Sequence, residues 1–108
     1  MDVWSSTLLA VEAHRAALRL NIQPALVDRR LAAMTLIVPS ETTYVSARSV
    51  GTAELRTLDA LHLAAALELG SDLAAVITYD RRFSLGCSHH GVIASAPGLP
   101  ADWWMPPT

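Results

Sequence analysis

The stretch LRTLDALHLAAALELG, residues 55–70, decides the fold because it combines an apolar, alanine-rich helix with two ionisable side chains near its start. Asp59 and His62 are three positions apart, which places them on the same face of a helix. Thr57 is expected to cap this helix, and Gly70 is expected just beyond its end. We therefore predict a helix over residues 58–69 that carries a carboxylate in its first turn.

The rest of the chain alternates short strands with helices. Val3 and Trp4 favour a strand, Ser5 or Ser6 can cap the next helix, and Pro24 interrupts the helical pattern. Further helices are predicted over residues 7–20, 25–34 and 41–51, a short helix or turn over 81–91, and strands over 35–39, 73–80 and 92–95. The run LAAVITYD, residues 73–80, suits a strand buried on both faces. Strands separated by helices predict an α/β domain with a mainly parallel sheet.

Composition places the chain among core-rich globular proteins. Of its 108 residues, 52% are hydrophobic and 17% are charged, which predicts one domain over residues 1–108 and excludes disorder. The net charge of −2 provides no basic field for a nucleic-acid partner. Cys87 is the single cysteine, no secretory signal is recognisable, and no apolar run approaches the ~20 residues that span a bilayer. A cytoplasmic location without membrane contact follows.

Three acidic residues are expected at one edge of the predicted sheet. A helix over residues 58–69 is about 18 Å long, and a seven-residue strand from Leu73 is about 23 Å long. A helix packed antiparallel to that strand begins where the strand ends, so Asp59 and Asp80 should meet at its carboxyl edge, where open α/β sheets bind ligands. Glu12 follows the first strand on the apolar face of its helix and should reach the same edge.

Carboxylates that lie close together repel unless a cation or a proton lies between them. Mg²⁺ and Mn²⁺ accept oxygen ligands together with waters, so such a cluster indicates metal-assisted phosphodiester chemistry. Arg56, Arg81 and Arg82 are candidate phosphate contacts, and the Thr78 hydroxyl can orient Asp80 or a metal-bound water.

Each of these residues also has a purely structural interpretation. Among the acidic residues, Asp59 can be a helix-dipole partner, Asp80 a cap or turn residue, and Glu12 an ion-pair partner of Arg15 or Arg19. His62 can be a structural histidine, and His89 and His90 can be loop residues. The three arginines can form a solvated face: Arg56, Arg81 and Arg82.

Longer motifs resemble a known family. WSSTLLAVEAHRAALRL (residues 4–20), the opening stretch, LAAVITYDRRF (73–83) and GVIASAPG (91–98) resemble PIN-domain ribonucleases, above all the VapC toxins of bacterial toxin–antitoxin pairs. The resemblance extends from Val3 to Gly98 and is most specific over residues 55–70 and 78–82. It implies a PIN-like three-layer α/β domain, with a mainly parallel sheet flanked by helices. Residues 97–108 form a Pro/Trp-rich tail by composition.

The resemblance also implies a site and an activity. Family members bind Mg²⁺ or Mn²⁺ through acidic residues at one sheet edge and cleave RNA. The matching positions are Glu12, Asp59 and Asp80 as catalytic and metal-binding residues, with Thr78 near the metal and His62 in a supporting role. Expected partners are an RNA substrate, a VapB-type antitoxin and a second copy in a homodimer.

One family feature has no match in this sequence. The family pattern begins with a central strand that ends in Asp-Thr-Ser or a similar run and supplies a first acidic residue. We therefore expect an N-terminally truncated domain that lacks this strand, with lower stability and weaker metal binding. Two functions stay open: a metal-dependent endoribonuclease toxin, and an inactive toxin-derived module that binds an antitoxin or another toxin chain.

Overall fold

The computed structural model describes residues 3–105 and divides into two compact units, Met1–Ser40 and Glu41–Thr108. The first residue of the predicted DVWSS strand and the last three of the tail lie outside the described residues. The expected α/β class is confirmed, because helices alternate with short strands and both strand pairs are parallel. Within residues 3–105, no helix is long and apolar enough to cross a membrane.

The described part of the first unit, residues 3–40, contains two strands and two helices. In chain order these are β1 (Trp4–Ser6), α1 (Leu8–Leu20), α2 (Pro24–Leu31) and β2 (Thr35–Ile37). Strands β1 and β2 are paired in parallel, with Trp4 opposite Thr35. Helix α1 ends at Asn21, whose φ of 58° is left-handed, and Pro24 begins α2 because its fixed φ suits a first helical position. These two residues explain the predicted break between the helices.

Local contacts join the elements of the first unit. The Ser6 hydroxyl accepts a hydrogen bond from the Leu8 amide at 3.2 Å, so a serine does support the start of α1, although Thr7 is the capping residue. His14 and Asp28 form a side-chain contact of 2.9 Å that ties α1 to α2. Polar side-chain contacts therefore join the elements of this unit in addition to the pairing of β1 with β2.

The second unit contains the predicted alanine-rich helix. Its elements are α3 (Glu41–Ala47), α4 (Thr57–Leu67), a short 3-10 helix (Gly70–Asp72), β3 (Val76–Ile77), α5 (Arg81–His89) and β4 (Ala94–Ser95). Strands β3 and β4 are parallel. Thr57 is the first residue of α4 rather than its cap, and Arg56 occupies the cap position. The sequence predicted that this helix would run to Gly51, but α3 ends at Ala47.

Helix α4 lies at the centre of the second unit. Leu63 is fully buried and forms the core with Phe83 and Cys87 of α5. The buried residues of α4 are Ala60, Leu61, Leu63, Ala64 and Ala65. Thr43 of α3 is also fully buried and donates a hydrogen bond of 2.6 Å to Glu68, just after α4. Because most of its buried side chains are small, α4 packs closely against the helices on either side.

The prediction of a long strand over residues 73–80, buried on both faces, is wrong for this structure. Only Val76 and Ile77 are in strand conformation, and Ile77 is 61% exposed. Among the described residues β3 pairs with β4 alone, and so narrow a sheet does not cover both faces of its strands. Hydrophobicity alone therefore overstated both the length and the burial of this strand.

Gly51 is required at the contact between α4 and α5. Its φ is +69°, and a Cβ there would lie 2.8 Å from Cδ2 of Leu55 and 3.6 Å from Cα of Gly86. We predict that Gly51→Ala lowers the free energy of unfolding by about 2–4 kcal/mol, through backbone strain and displacement of Leu55. Urea denaturation measures the change.

Gly70→Ala is the matched control for Gly51→Ala. Gly70 also has a positive φ, +56°, but a Cβ there would meet nothing within 4 Å. Gly70→Ala should lower the free energy of unfolding only through backbone strain, by about 1 kcal/mol. Equal losses in the two variants would show that the close packing at Gly51 contributes nothing.

Cys87 provides a pH-dependent readout of core burial. Burial raises the pKa of its thiol to about 11, above the ordinary value of 9.0. As the pH rises through this interval, the unfolded thiol ionises before the folded one, so unfolding becomes more favourable. We predict that the free energy of unfolding falls in this pH range and that Cys87→Ala removes that part of the fall.

The native thiol of Cys87 should also resist alkylation at about pH 8 until urea unfolds the chain. Rapid alkylation of the native chain would contradict this burial.

Candidate functional site

Asp59 and Asp80 line the same cleft of the second unit. Asp59 lies half-buried in the first turn of α4, and Asp80 directly precedes α5, just after β3. The cleft has a volume of about 460 Å³ and is lined by Arg56, Asp59, Tyr79, Asp80, Arg81, Arg82 and Trp103. The structure therefore brings two of the three predicted acidic residues, Asp59 and Asp80, to one cleft.

Asp80 is held in place by local hydrogen bonds. Its Oδ1 accepts a bond of 2.9 Å from the Phe83 amide, which makes it the N-cap of α5. Its own amide donates to the Thr78 hydroxyl at 3.1 Å. Its carbonyl oxygen accepts a bond from the Ser84 hydroxyl at 2.9 Å. The structural interpretation of Asp80 as a cap is thus correct, and the same contacts fix its carboxylate at the cleft.

Three arginines surround the two carboxylates. Arg56 precedes α4, while Arg81 and Arg82 are the first two residues of α5, and all three are exposed. The cleft therefore carries three guanidinium groups and two carboxylates, a local excess of positive charge in a chain whose net charge is −2. Guanidinium groups bind phosphate oxygens through paired N–H donors, so this lining suits a phosphodiester ligand.

Two aromatic residues of the cleft were missed by the sequence analysis. The Tyr79 hydroxyl donates a hydrogen bond of 2.6 Å to the Pro97 carbonyl, which fastens the start of the tail beside the cleft. Arg81 lies over the ring of Trp103, with its Cζ 5.8 Å from the ring centroid. The paired tryptophans were the available signal, but a sequence does not show where a proline-rich segment folds.

The remaining predicted residues are described by their own elements. Glu12 is half-buried in α1 of the first unit, and His62 is half-buried in α4 of the second. His90, expected in a loop, accepts a hydrogen bond of 2.8 Å from the Gly51 amide. Across residues 3–105, no group of three or more His, Cys, Asp or Glu side chains is arranged to hold a metal ion. The three-carboxylate site stays a prediction.

Two carboxylates are nevertheless a suitable set for a hard divalent cation. Mg²⁺ retains several waters in proteins and is often held by one or two carboxylates together with the phosphate oxygens of a substrate. Asp59 and Asp80 supply those carboxylates, and the neighbouring arginines suit the phosphate. The donor chemistry of the cleft therefore fits a divalent cation and a phosphodiester together.

Comparison with known proteins identifies the family and two similar sequences. The family model of the PIN domain matches residues 2–85. Ribonuclease VapC47 of Mycobacterium tuberculosis (strain CDC 1551 / Oshkosh) is 37% identical over 100 residues, which cover 90% of this chain and 73% of that relative. Ribonuclease VapC46 of Mycobacterium tuberculosis (strain ATCC 25618 / H37Rv) is 50% identical over 44 residues, covering 41% and 34%. No solved structure matches the chain significantly.

The α/β fold, with acidic residues at the start of α4 and after β3, is that of a PIN domain, and the chain belongs to the PIN-domain family. The resemblance to its VapC-type members is confirmed by the relative that matches 90% of the chain.

The two roles of Asp80 can be separated by substitution. Asparagine caps helices about as well as aspartate, whereas alanine does not. We predict that Asp80→Asn leaves the free energy of unfolding within a few tenths of a kcal/mol of wild type, while Asp80→Ala lowers it by about 1 kcal/mol. Chemical denaturation of both variants measures this. If Asn destabilises the chain as much as Ala, the Phe83 hydrogen bond is not what Asp80 contributes.

Proposed function

We propose that the chain is a VapC-type endoribonuclease toxin that depends on Mg²⁺ or Mn²⁺. The observation that carries the proposal is the shared cleft of Asp59 and Asp80, flanked by three arginines, in a PIN-domain chain. The name of the relative similar over 90% of this chain, a ribonuclease, supports the choice of RNA as substrate. The reaction would be hydrolysis of an RNA phosphodiester bond.

The carboxylates of Asp59 and Asp80 would hold the divalent cation. When bound, such an ion lowers the pKa of a water and neutralises charge on the reacting phosphate. Asp80 suits this task because the Phe83 amide and the Thr78 hydroxyl fix the residue before any ligand arrives. Preorganisation of this kind avoids a reorganisation cost during the reaction.

The arginines would bind and orient the substrate. Arg56, Arg81 and Arg82 are exposed at the rim of the cleft, where their side chains can contact phosphates on either side of the scissile bond. Their charge also opposes the negative charge that accumulates on the phosphate. Glu12 is proposed as a third acidic residue of the site and Thr78 as a supporting hydroxyl, on the family resemblance.

Partners and location follow from the same proposal. A toxin of this type would be paired with a VapB-type antitoxin, would form a homodimer and would act in the cytoplasm. A lone buried thiol, Cys87, is compatible with a reducing compartment.

A second candidate function is an interaction module without catalysis. It is favoured by the finding that no three acidic, imidazole or thiol groups gather as a metal site in residues 3–105. It is also favoured by exposed apolar residues in the first unit, where Val11 is 62% exposed and Leu18 and Leu20 are each 69% exposed. In this case the chain would bind an antitoxin or another toxin chain and would not cleave RNA.

The decisive test is cleavage of a mixed RNA pool by the purified chain with Mn²⁺ or Mg²⁺. We expect cleavage that EDTA abolishes, and a loss of at least about 100-fold in Asp80→Asn, because this change removes a metal-binding charge and keeps the helix cap. Asp59→Asn should lose activity similarly.

The matched control is Asp72→Asn. Asp72 is exposed in the 3-10 helix and does not line the cleft, so this variant changes the net charge equally and should keep wild-type activity. Full activity of Asp80→Asn, or activity that survives EDTA, would overturn the proposed mechanism. Absence of cleavage by a folded wild-type chain would favour the interaction module.

A further inference from the structure

We propose that Trp103 is an RNA-binding residue that stacks on one unpaired base while the adjacent arginines and carboxylates contact the backbone. The inference rests on the proposed function for the choice of RNA. It assigns a role to the tail, a segment that contains none of the acidic residues expected at the site. The substrate class that it defines is RNA with at least one unstacked, single-stranded base at the cleft.

The first observation is the position of Trp103. Trp103 lines the same cleft as Asp59 and Asp80, although it follows Arg81, the first residue of α5, by more than twenty residues. Hydrogen bonds fix the tail there: Tyr79 donates to the Pro97 carbonyl at 2.6 Å, and the Trp103 amide donates to the Pro100 carbonyl at 3.1 Å. The ring is therefore presented on an ordered turn.

The second observation is which part of the indole remains accessible. Nε1 of Trp103 is buried and has no hydrogen-bond partner among the described residues. Nε1 is the single polar atom of this ring, so the part of the ring that solvent reaches in this partly buried residue is carbon. A surface of aromatic carbon recognises a ligand by stacking, and every base offers a flat π-face for that purpose.

The third observation is the charge beside the ring. Arg81 lies 5.8 Å from the ring centroid, and Arg56 and Arg82 line the same cleft. An aromatic ring next to guanidinium groups is the combination that binds single-stranded nucleic acid, because the ring stacks with a base and the cations attract phosphates. An acidic peptide would use the arginines but would gain little from the ring.

The experiment measures RNA binding rather than cleavage. A fluorescently labelled single strand of about 12 nucleotides is titrated with the full chain in EDTA, and its anisotropy gives Kd. We expect Trp103→Leu to raise Kd roughly fivefold or more, and Trp103→Phe to stay near wild type because phenylalanine also stacks. A duplex of the same length should bind more weakly than the single strand.

The neighbouring tryptophan supplies the matched control. Trp104 is also half-buried in the tail but does not line the cleft, so Trp104→Leu should bind the single strand like wild type. Three results would each overturn the proposal. The first is that Trp103→Leu binds like wild type, the second that Trp104→Leu weakens binding as much as Trp103→Leu does, and the third that the chain binds duplex and single strand with equal affinity. If a polyglutamate peptide displaces RNA from wild type but not from Trp103→Leu, the ring is instead assigned to the binding of an acidic protein segment.

A second measurement covers the case in which Trp103→Leu fails to fold. Wild-type chain is photo-crosslinked to RNA that contains 4-thiouridine, and the crosslinked residue is located by mass spectrometry. A crosslink at Trp103 supports the proposal, and crosslinks confined to other residues overturn it. If the wild-type chain binds RNA through Trp103 but never cleaves it, the proposed activity fails while this inference stands.

Discussion

The packing of α4 against α5 is the constraint on which the candidate site depends. Leu63 is fully buried between these helices, and both neighbours of its side chain at the contact, Gly51 and Gly86, lack a Cβ. A Cβ at Gly86 would lie 3.2 Å from Cδ2 of Leu63, so a larger residue would separate the helices. Since Asp59 lies in the first turn of α4 and Asp80 is the N-cap of α5, the packing of these helices also governs how far apart the two carboxylates lie.

The same residues that build the fold also build the cleft. Asp80 caps α5 through the Phe83 amide, and Phe83 belongs to the core with Cys87. A movement of the carboxylate would therefore uncap a helix that is anchored in the core. A structural role and a catalytic role for Asp80 are consequently not alternatives, because the cap supplies the rigidity that a metal ligand or a substrate contact requires.

The features that the sequence predicted well are those that depend on neighbours in the chain. Pro24 separates α1 from α2 by local chemistry, and the period of the apolar residues defines α4. The length and burial of β3 were predicted poorly, because the exposure of Ile77 depends on which strands and helices lie beside it. Trp103 was missed for a similar reason, since its contact with Arg81 joins residues far apart in the chain.

Net charge was the least informative part of the sequence, and the structure shows why. The chain carries a net charge of −2, which argued against a nucleic-acid partner, yet the cleft contains more guanidinium groups than carboxylates. At physiological salt the Debye length is about 8 Å, so a phosphate at the cleft interacts mainly with the charges that line it. Arg56, Arg81 and Arg82 therefore weigh more in what the cleft attracts than the net charge does, although Glu54, which interacts with Arg82, reduces this positive charge.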